Sequence, residues 1–283
     1  MRKYTLQDVV DRVADVYSIP EAALKARQML ADPNVEVDGL ARVIGLDQGL
    51  TSKVLRIANS SFYGRLHPAD TVRDAIVTIG LRNMQNVITA HVAKDFNAGF
   101  GSPEHAVWEH SLAVAVIAMT LAEKTQAVSI EDAMLGGILH DIGKTVLCAA
   151  LPREFRAISH AVYERDIATA EAESAVFGFN HAHVGAETSK AWKFPPKVAV
   201  AVNYHHALSD AVAQAPDQLR LICLIDLADR FAHVLGFSVR KTPDEINWDK
   251  VASARAFRLA PEQLDGMREE LVGRIDQERA IFD

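Results

Sequence analysis

The chain has 283 residues, 49% of them apolar and 24% charged, and a net charge of −7. Such a chain can bury a sizeable core, and its acidity argues against a large non-specific nucleic-acid surface. Its only cysteines, Cys148 and Cys223, lie in apolar stretches, so no disulfide framework is implied and a reducing, cytoplasmic compartment is expected.

The opening, MRKYTLQDVVDR, is charged throughout and unlike a secretory signal. The longest apolar run, Leu112 to Ala122, ends at Glu123 and Lys124 and is short of a bilayer span, so no membrane association is expected. Val9, Val10, Val13 and Val16 mark a first helical stripe. Pro20 opens a second helix that ends near Asp32 and Pro33. Residues 35–60 read as two short helices and 71–91 as another, with Thr71 and Asp74 as a capping box and Gly80 as a candidate helix end. The turn-rich GFGSP run at 99–103 separates an N-terminal helical part, residues 1–100, from a core at 101–240. In that core helices are predicted at 106–123, 131–148, 152–165, 169–177, 181–190, 196–206 and 219–235, with Ser129 and Asp132 as a second capping box. A C-terminal extension, 241–283, reads as two helices from about Pro243 and Pro261. No β-alternation or internal repeat is present, so the fold class is all-α, a helical bundle.

Residues 40–55, LARVIGLDQGLTSKVL, have the form of a helix-turn-helix, with Gly45 in the turn. Arg42, Lys53 and Arg56 could then meet phosphates and Gln48 a base edge. The other reading is a helical hairpin packed into the bundle, which two basic residues per helix and an acidic chain favour.

The sharpest chemical feature is Gly136-Gly137-Ile138-Leu139-His140-Asp141-Ile142-Gly143-Lys144. An apolar helix suddenly carries ionisable groups, which are costly to bury unless paired. His110, His181, His183, the His205-His206 pair, Asp226 and Asp229 recur at helical positions elsewhere. Imidazole and carboxylate together suit a divalent ion such as iron, manganese or zinc, and a bundle can gather ligands from several helices. Two readings stand: a metal site, or a hydrogen-bonded cluster of satisfied core residues. His205 and His206 also fit a helix C-terminus, where the dipole favours a cation. His183 is expected at the surface, Asp229 could simply pair with Arg230 or a neighbouring lysine, and Trp108 and Trp192 are expected as core or domain-contact residues.

The set His110, His140-Asp141 and Asp226 resembles the HD superfamily, whose signature is a His, a His-Asp pair and a distant Asp that ligate divalent metal. His181 with Gly185, the His205-His206 pair and Asp226 to Asp229 stand where the HD-GYP branch completes its site, and Lys144 matches the lysine of the HDxGK pattern. Across Ile19 to His206 the chain is more similar to the HDOD family. The marks are LDQGLT at 46–51, LRIANS at 55–60, AIVTIG at 75–80, WEHS at 108–111, GILHDIG at 137–143, HAHVG at 181–185 and WKFP at 192–195. The resemblance implies an HD-like core behind an N-terminal helical subdomain, with His110, His140, Asp141, His181, His205, His206 and Asp226 as metal ligands. Asp141 and Lys144 would carry any phosphoester hydrolysis.

HDOD relatives are regarded as regulatory modules, so a signal-transduction module that binds a partner protein or a nucleotide is the leading expectation. A metal-dependent phosphohydrolase of nucleotide phosphoesters and a DNA-binding regulator are the alternatives. The Gly-Tyr-Pro segment of the HD-GYP branch is absent, since the chain continues Ala207-Leu208-Ser209-Asp210 after the His-His pair. Cyclic di-GMP cleavage is therefore not expected.

Overall fold

The structure, a computed structural model, describes residues 4–14, 17, 19–63, 68–98, 102–238 and 246–282. Among these residues every regular element is helical, as the periodicity requires. The first part holds α1 (Leu6–Ala14), α2 (Glu21–Leu30), α3 (Val37–Ile44), α4 (Gln48–Ala58), α5 (Val72–Ile79) and α6 (Leu81–Ala98). Thr71 caps α5 by accepting from the Asp74 N–H at 3.1 Å. The single helix expected over 71–91 is broken at Gly80, whose φ of +84° suits only glycine.

The helix-turn-helix-like segment is a hairpin of α3 and α4. Asp47 caps α4 through the Leu50 N–H at 2.8 Å, and the Thr51 hydroxyl donates to the Ile44 carbonyl at 3.0 Å. Lys53, which only the helix-turn-helix alternative placed on a recognition face, is buried at 2% exposure. Its position in the helix turns it with Val54 and Ile57 into the core, and no surface lysine remains there to meet a phosphate.

The core is built on α7 (Ser102–Thr125) and α8 (Ile130–Leu139). Ser129 caps α8 by accepting from the Asp132 N–H at 3.2 Å. There follow α9 (Ile142–Ala150), α10 (Pro152–Arg165), α11 (Thr169–Phe177), α12 (His181–Ala191), α13 (Pro196–Tyr204), α14 (Leu208–Gln214) and α15 (Leu219–Val234). Two stretches, Ala106–Thr125 and Ile130–Ala150, are long and apolar enough to cross a membrane, more than the uninterrupted runs had suggested; 83% of an 18-residue apolar window in each lies buried inside the protein. They are the centre of the bundle, with α7 packed against α8 and α15. The contact is close because position 137 is glycine: a Cβ there would lie 2.4 Å from Ala115 Cα.

The helix expected over 131–148 is interrupted at His140 and Asp141, and this break aims both side chains inward. Tight packing of α9 on α12 depends on Gly143, where a Cβ would lie 1.9 Å from the His181 carbonyl oxygen. Cys148 and Cys223 are buried thiols outside any disulfide. Trp108 and Trp192 are buried, the latter edge-on to Phe96 with centroids 5.0 Å apart. The helix expected from Pro243 begins outside the described residues; beyond it lie α16 (Ala252–Ala256), α17 (Pro261–Gly266) and α18 (Arg268–Phe282). Helix α18 folds back on α7 and α4, pinned by Arg274 on Glu123 at 2.6 Å.

Candidate metal centre

Five helices and the α8–α9 break bring eight ionisable side chains together. His110 comes from α7, His140 and Asp141 from the break and Lys144 from the first turn of α9. His181 opens α12, His205 follows α13 as its cap with His206 next, and Asp229 sits on α15. Asp141 lies in the middle. Its Oδ2 is 3.3 Å from His140 Nε2 and 3.5 Å from His110 Nε2. Its Oδ1 is 3.2 Å from His181 Nε2 and 3.8 Å from His205 Nε2. Asp229 Oδ1 completes the first side at 3.0 Å from His110 Nε2, and His206 completes the second, with its Nε2 3.1 Å from His181 Nε2.

The hydrogen bonds behind these rings fix their tautomers. His140 Nδ1 lies 2.8 Å from the Gly137 carbonyl and His205 Nδ1 2.7 Å from the Val202 carbonyl. His110 Nδ1 meets the Phe237 carbonyl, and His181 Nδ1 meets Glu173 Oε2 at 2.6 Å. Carbonyls and carboxylates only accept, so each Nδ1 carries a proton and each ring turns its Nε2 inward. His110 and His140 thus set their Nε2 atoms 3.3 Å apart. Lone pairs facing each other need a proton or a cation between them.

The electrostatics differ from ring to ring: burial opposes a charge on His140, yet Asp141 raises it above the ordinary imidazole value. Burial opposes ionisation of Asp141, yet His140 and the Lys144 ammonium hold its carboxyl well below the usual range. Burial likewise opposes ionisation of Asp229, and His110 holds it well below. Burial, with His206 and His140 adding to it, pushes His205 far below the ordinary imidazole value, so the ring stays neutral. Asp141 Oδ1 and His205 Nε2 are buried without a hydrogen-bond partner. Orphaned acceptors in a dry pocket with four prepared imidazoles fit a divalent ion well. The ligand atoms form two groups, Asp141 with His181, His205 and His206, and His110 with His140 and Asp229.

One expected ligand is displaced. Asp226 accepts from Arg230 at 2.9 and 3.1 Å and from the Ser253 hydroxyl at 2.6 Å. Three residues on an α-helix turn the side chain by about 60°, which carries Asp229 rather than Asp226 onto His110. Asp229 still acts as a nearby charge on Arg230 and on Lys144, while the hydrogen bonds of Arg230 go to Asp226, four residues back. His183 is exposed as expected, and its Nδ1 accepts from the Asn180 N–H in the α12 capping box. Glu173 was not anticipated. It is fully buried on the helix face it shares with Phe177, four residues on, and only the docking of α11 on α12 buries it.

Beside the centre lies a cavity of about 570 Å³, reached by His110, Asp141, Lys144, His206 and Asp229 and walled by α10 and the start of α11.

Comparison with known proteins gives a consistent picture. The HDOD domain family model matches residues 16–208. A crystal structure of an HDOD domain protein of unknown function from Geobacter sulfurreducens is 25% identical, covers 98% of this chain and 95% of that one, and has a TM-score of 0.72. Two structures from Shewanella amazonensis SB2B share the fold at 22% and 18% identity, with TM-scores of 0.70 and 0.69 and 98% of both chains covered in each case. The first is described as a candidate phosphohydrolase and the second as a candidate metal-dependent one. An uncharacterized protein from Treponema pallidum (strain Nichols) is 24% identical over 225 residues, 79% of this chain; the match spans 44% of that protein's length. The family match covers well over half of the sequence, with the His-Asp pair inside it, and the chain belongs to the HDOD family.

Proposed function

We propose that this chain is a metal-dependent phosphohydrolase of nucleotide phosphoesters. One divalent ion, of iron, manganese or zinc, would be held by His110, His140, Asp141 and Asp229, and a second by Asp141, His181, His205 and His206. The carrying observation is that Asp141 turns one carboxylate oxygen to each histidine group. Such ions supply Lewis acidity toward a phosphoryl oxygen and the means to activate water near neutral pH. The chain's own groups do the rest. Lys144 is 18% exposed toward the cavity and can neutralise charge that develops on the phosphate. Glu173, Gly137 and Val202 hold the imidazoles in one tautomer, and Asp141 orients the attacking oxygen. The absent Gly-Tyr-Pro segment still argues against cyclic di-GMP as substrate.

The test is elemental analysis of protein purified without chelator, paired with hydrolysis of simple phosphate esters after addition of manganese or iron. About two equivalents of metal and measurable turnover are expected; less than about one-tenth of an equivalent with no turnover refutes the reading.

A second reading keeps the module regulatory and metal-free, recognised by a partner protein or a nucleotide. It is favoured by Lys144, whose ammonium lies 2.5 Å from Asp141 Oδ2 and supplies a cation to the same oxygen that faces His110 and His140. No comparable observation favours DNA binding through residues 40–56.

A further inference from the structure

The cavity has a chemically distinct part. Helix α10 presents Phe155, Ser159 and Val162 at i, i+4 and i+7, a single helix face. Val107 of α7 lines the cavity too, and Thr169 and Glu171 at the start of α11 complete it. Phe155, Val162 and Val107 are buried, so this part of the lining is apolar with two hydroxyls set into it. The Ser159 hydroxyl is turned back on the Phe155 carbonyl at 3.0 Å, which further lowers the polarity of that face.

Charge bounds what can enter. The cavity is lined by four carboxylates, Asp141, Glu171, Asp226 and Asp229, against two cations, Lys144 and Arg230. That leaves −2, and two divalent ions would bring it to +2, the complement of a single phosphate dianion. Asp226 already occupies Arg230 through two hydrogen bonds, and Glu171 is exposed where a second anionic group would have to lie. Like charge there disfavours sugar phosphates with a further acid group and nucleoside polyphosphates.

We infer that the α10–α11 hairpin is the specificity wall of this site. It selects a phosphate monoester whose leaving group carries an uncharged planar ring, with Phe155 and Val162 holding the ring and Ser159 setting the depth of the slot. The inference rests on the phosphohydrolase reading above and adds the substrate class to it. Phosphate would sit between Lys144 and the histidine cluster, with the ring directed away from it onto α10.

Binding of phosphonates, whose C–P bond is not hydrolysed, tests this without turnover. Methylphosphonate and benzylphosphonate are titrated calorimetrically into the full chain loaded with manganese. The ring should tighten binding about tenfold or more in the wild-type protein, the order expected from burying one aromatic group. Ser159→Phe fills the slot and should bring the two affinities within about twofold. Phe155→Ala should also shrink the ratio, and circular dichroism identifies a variant that fails to fold. Equal affinities in the wild-type protein, or a ratio that survives Ser159→Phe, overturn the inference and leave the hydrolase reading intact. If neither phosphonate binds to protein that holds two equivalents of metal, the hydrolase reading falls, and the specificity wall with it.

Discussion

Asp141 Oδ1 lies 3.2 Å from His181 Nε2, and the other oxygen of the same carboxylate lies 3.3 Å from His140 Nε2. One carboxylate therefore joins two histidine groups carried on separate helices. Replacing it with an amide keeps the shape but turns one oxygen into a donor that cannot ligate. Asp141→Asn is expected to lower bound metal from about two equivalents to one or fewer, read by elemental analysis. Two equivalents retained in the variant would show that the two groups bind independently of the shared carboxylate.

Glu173 acts behind the ligands. Its Oε2 accepts from His181 Nδ1 at 2.6 Å and from the His181 N–H at 2.7 Å, so it fixes both the ring and the start of α12. Glu173→Gln lets the amide flip and present its NH₂ to Nδ1, which moves the ring proton to Nε2. Loss of metal affinity by about 10- to 100-fold is expected at one of the two positions only. A competition titration that finds both positions equally weakened would point to general unfolding instead.

Much of this centre was legible in the sequence, for physical reasons that can be named. His140 and Asp141 were visible because ionisable groups inside GGIL…IGK have no reason to be buried without a partner. The caps Thr71 and Ser129, and the break at Gly80, follow from local backbone chemistry that needs no tertiary information. Asp229 was misjudged because choosing between two carboxylates three residues apart requires the rotation of α15 about its axis, which packing sets. Glu173 was hidden because a glutamate in TAEAESAVF is ordinary for an exposed helix, and only the docking of α11 on α12 makes it buried. Lys53 fits the favoured packed hairpin rather than a recognition helix: its charge suggests the surface, while its helical register points inward.

Lys144 separates the two functional readings. Under hydrolysis its ammonium stabilises charge in the transition state, so Lys144→Met should keep both metals and lower kcat by about 10²- to 10³-fold. Under the metal-free regulatory reading the same ammonium is what balances Asp141. The variant would then leave a buried carboxylate unpaired and lower stability by about 3 kcal/mol or more. Thermal unfolding and metal analysis on one preparation decide between them.

A pH effect is expected far from the centre. His91 on α6 is buried, 3.4 Å from Asp95 Oδ2 and 3.9 Å from Asp47 Oδ1. Burial holds its imidazole below the ordinary value; Asp95 and Asp47 oppose this, while Lys53 and Lys94 reinforce it. The unfolded chain, with a pKa of about 6.5, therefore binds more protons than the native one as pH falls. The contribution of His91 to stability is complete above that pH and is lost as pH drops through the native value. His91→Gln should flatten the fall in Tm between pH 7 and pH 5, and parallel curves for the two proteins would contradict the assignment.

Gly143 joins fold to site most directly, because it touches no ligand side chain and yet decides whether the ligands meet. It follows Asp141 by two residues, and a Cβ on it would lie 1.9 Å from the His181 carbonyl oxygen and 2.7 Å from the Gly185 N. Both neighbours are backbone, so neither can swing aside as a side chain would. Gly143→Ala must push α9 from α12, which widens the distance between Asp141 and His181 as it relieves the clash. A loss of about 3 kcal/mol or more is expected by thermal or denaturant unfolding. Whatever folded protein remains should hold the metal at His110, His140 and Asp229 better than the one at His181, His205 and His206. Gly266, where a Cβ would meet nothing within 4 Å, is the control: Gly266→Ala should leave both stability and metal content close to wild type. If Gly143→Ala behaved like that control, the close approach of α9 and α12 would not be what sets the geometry of the centre.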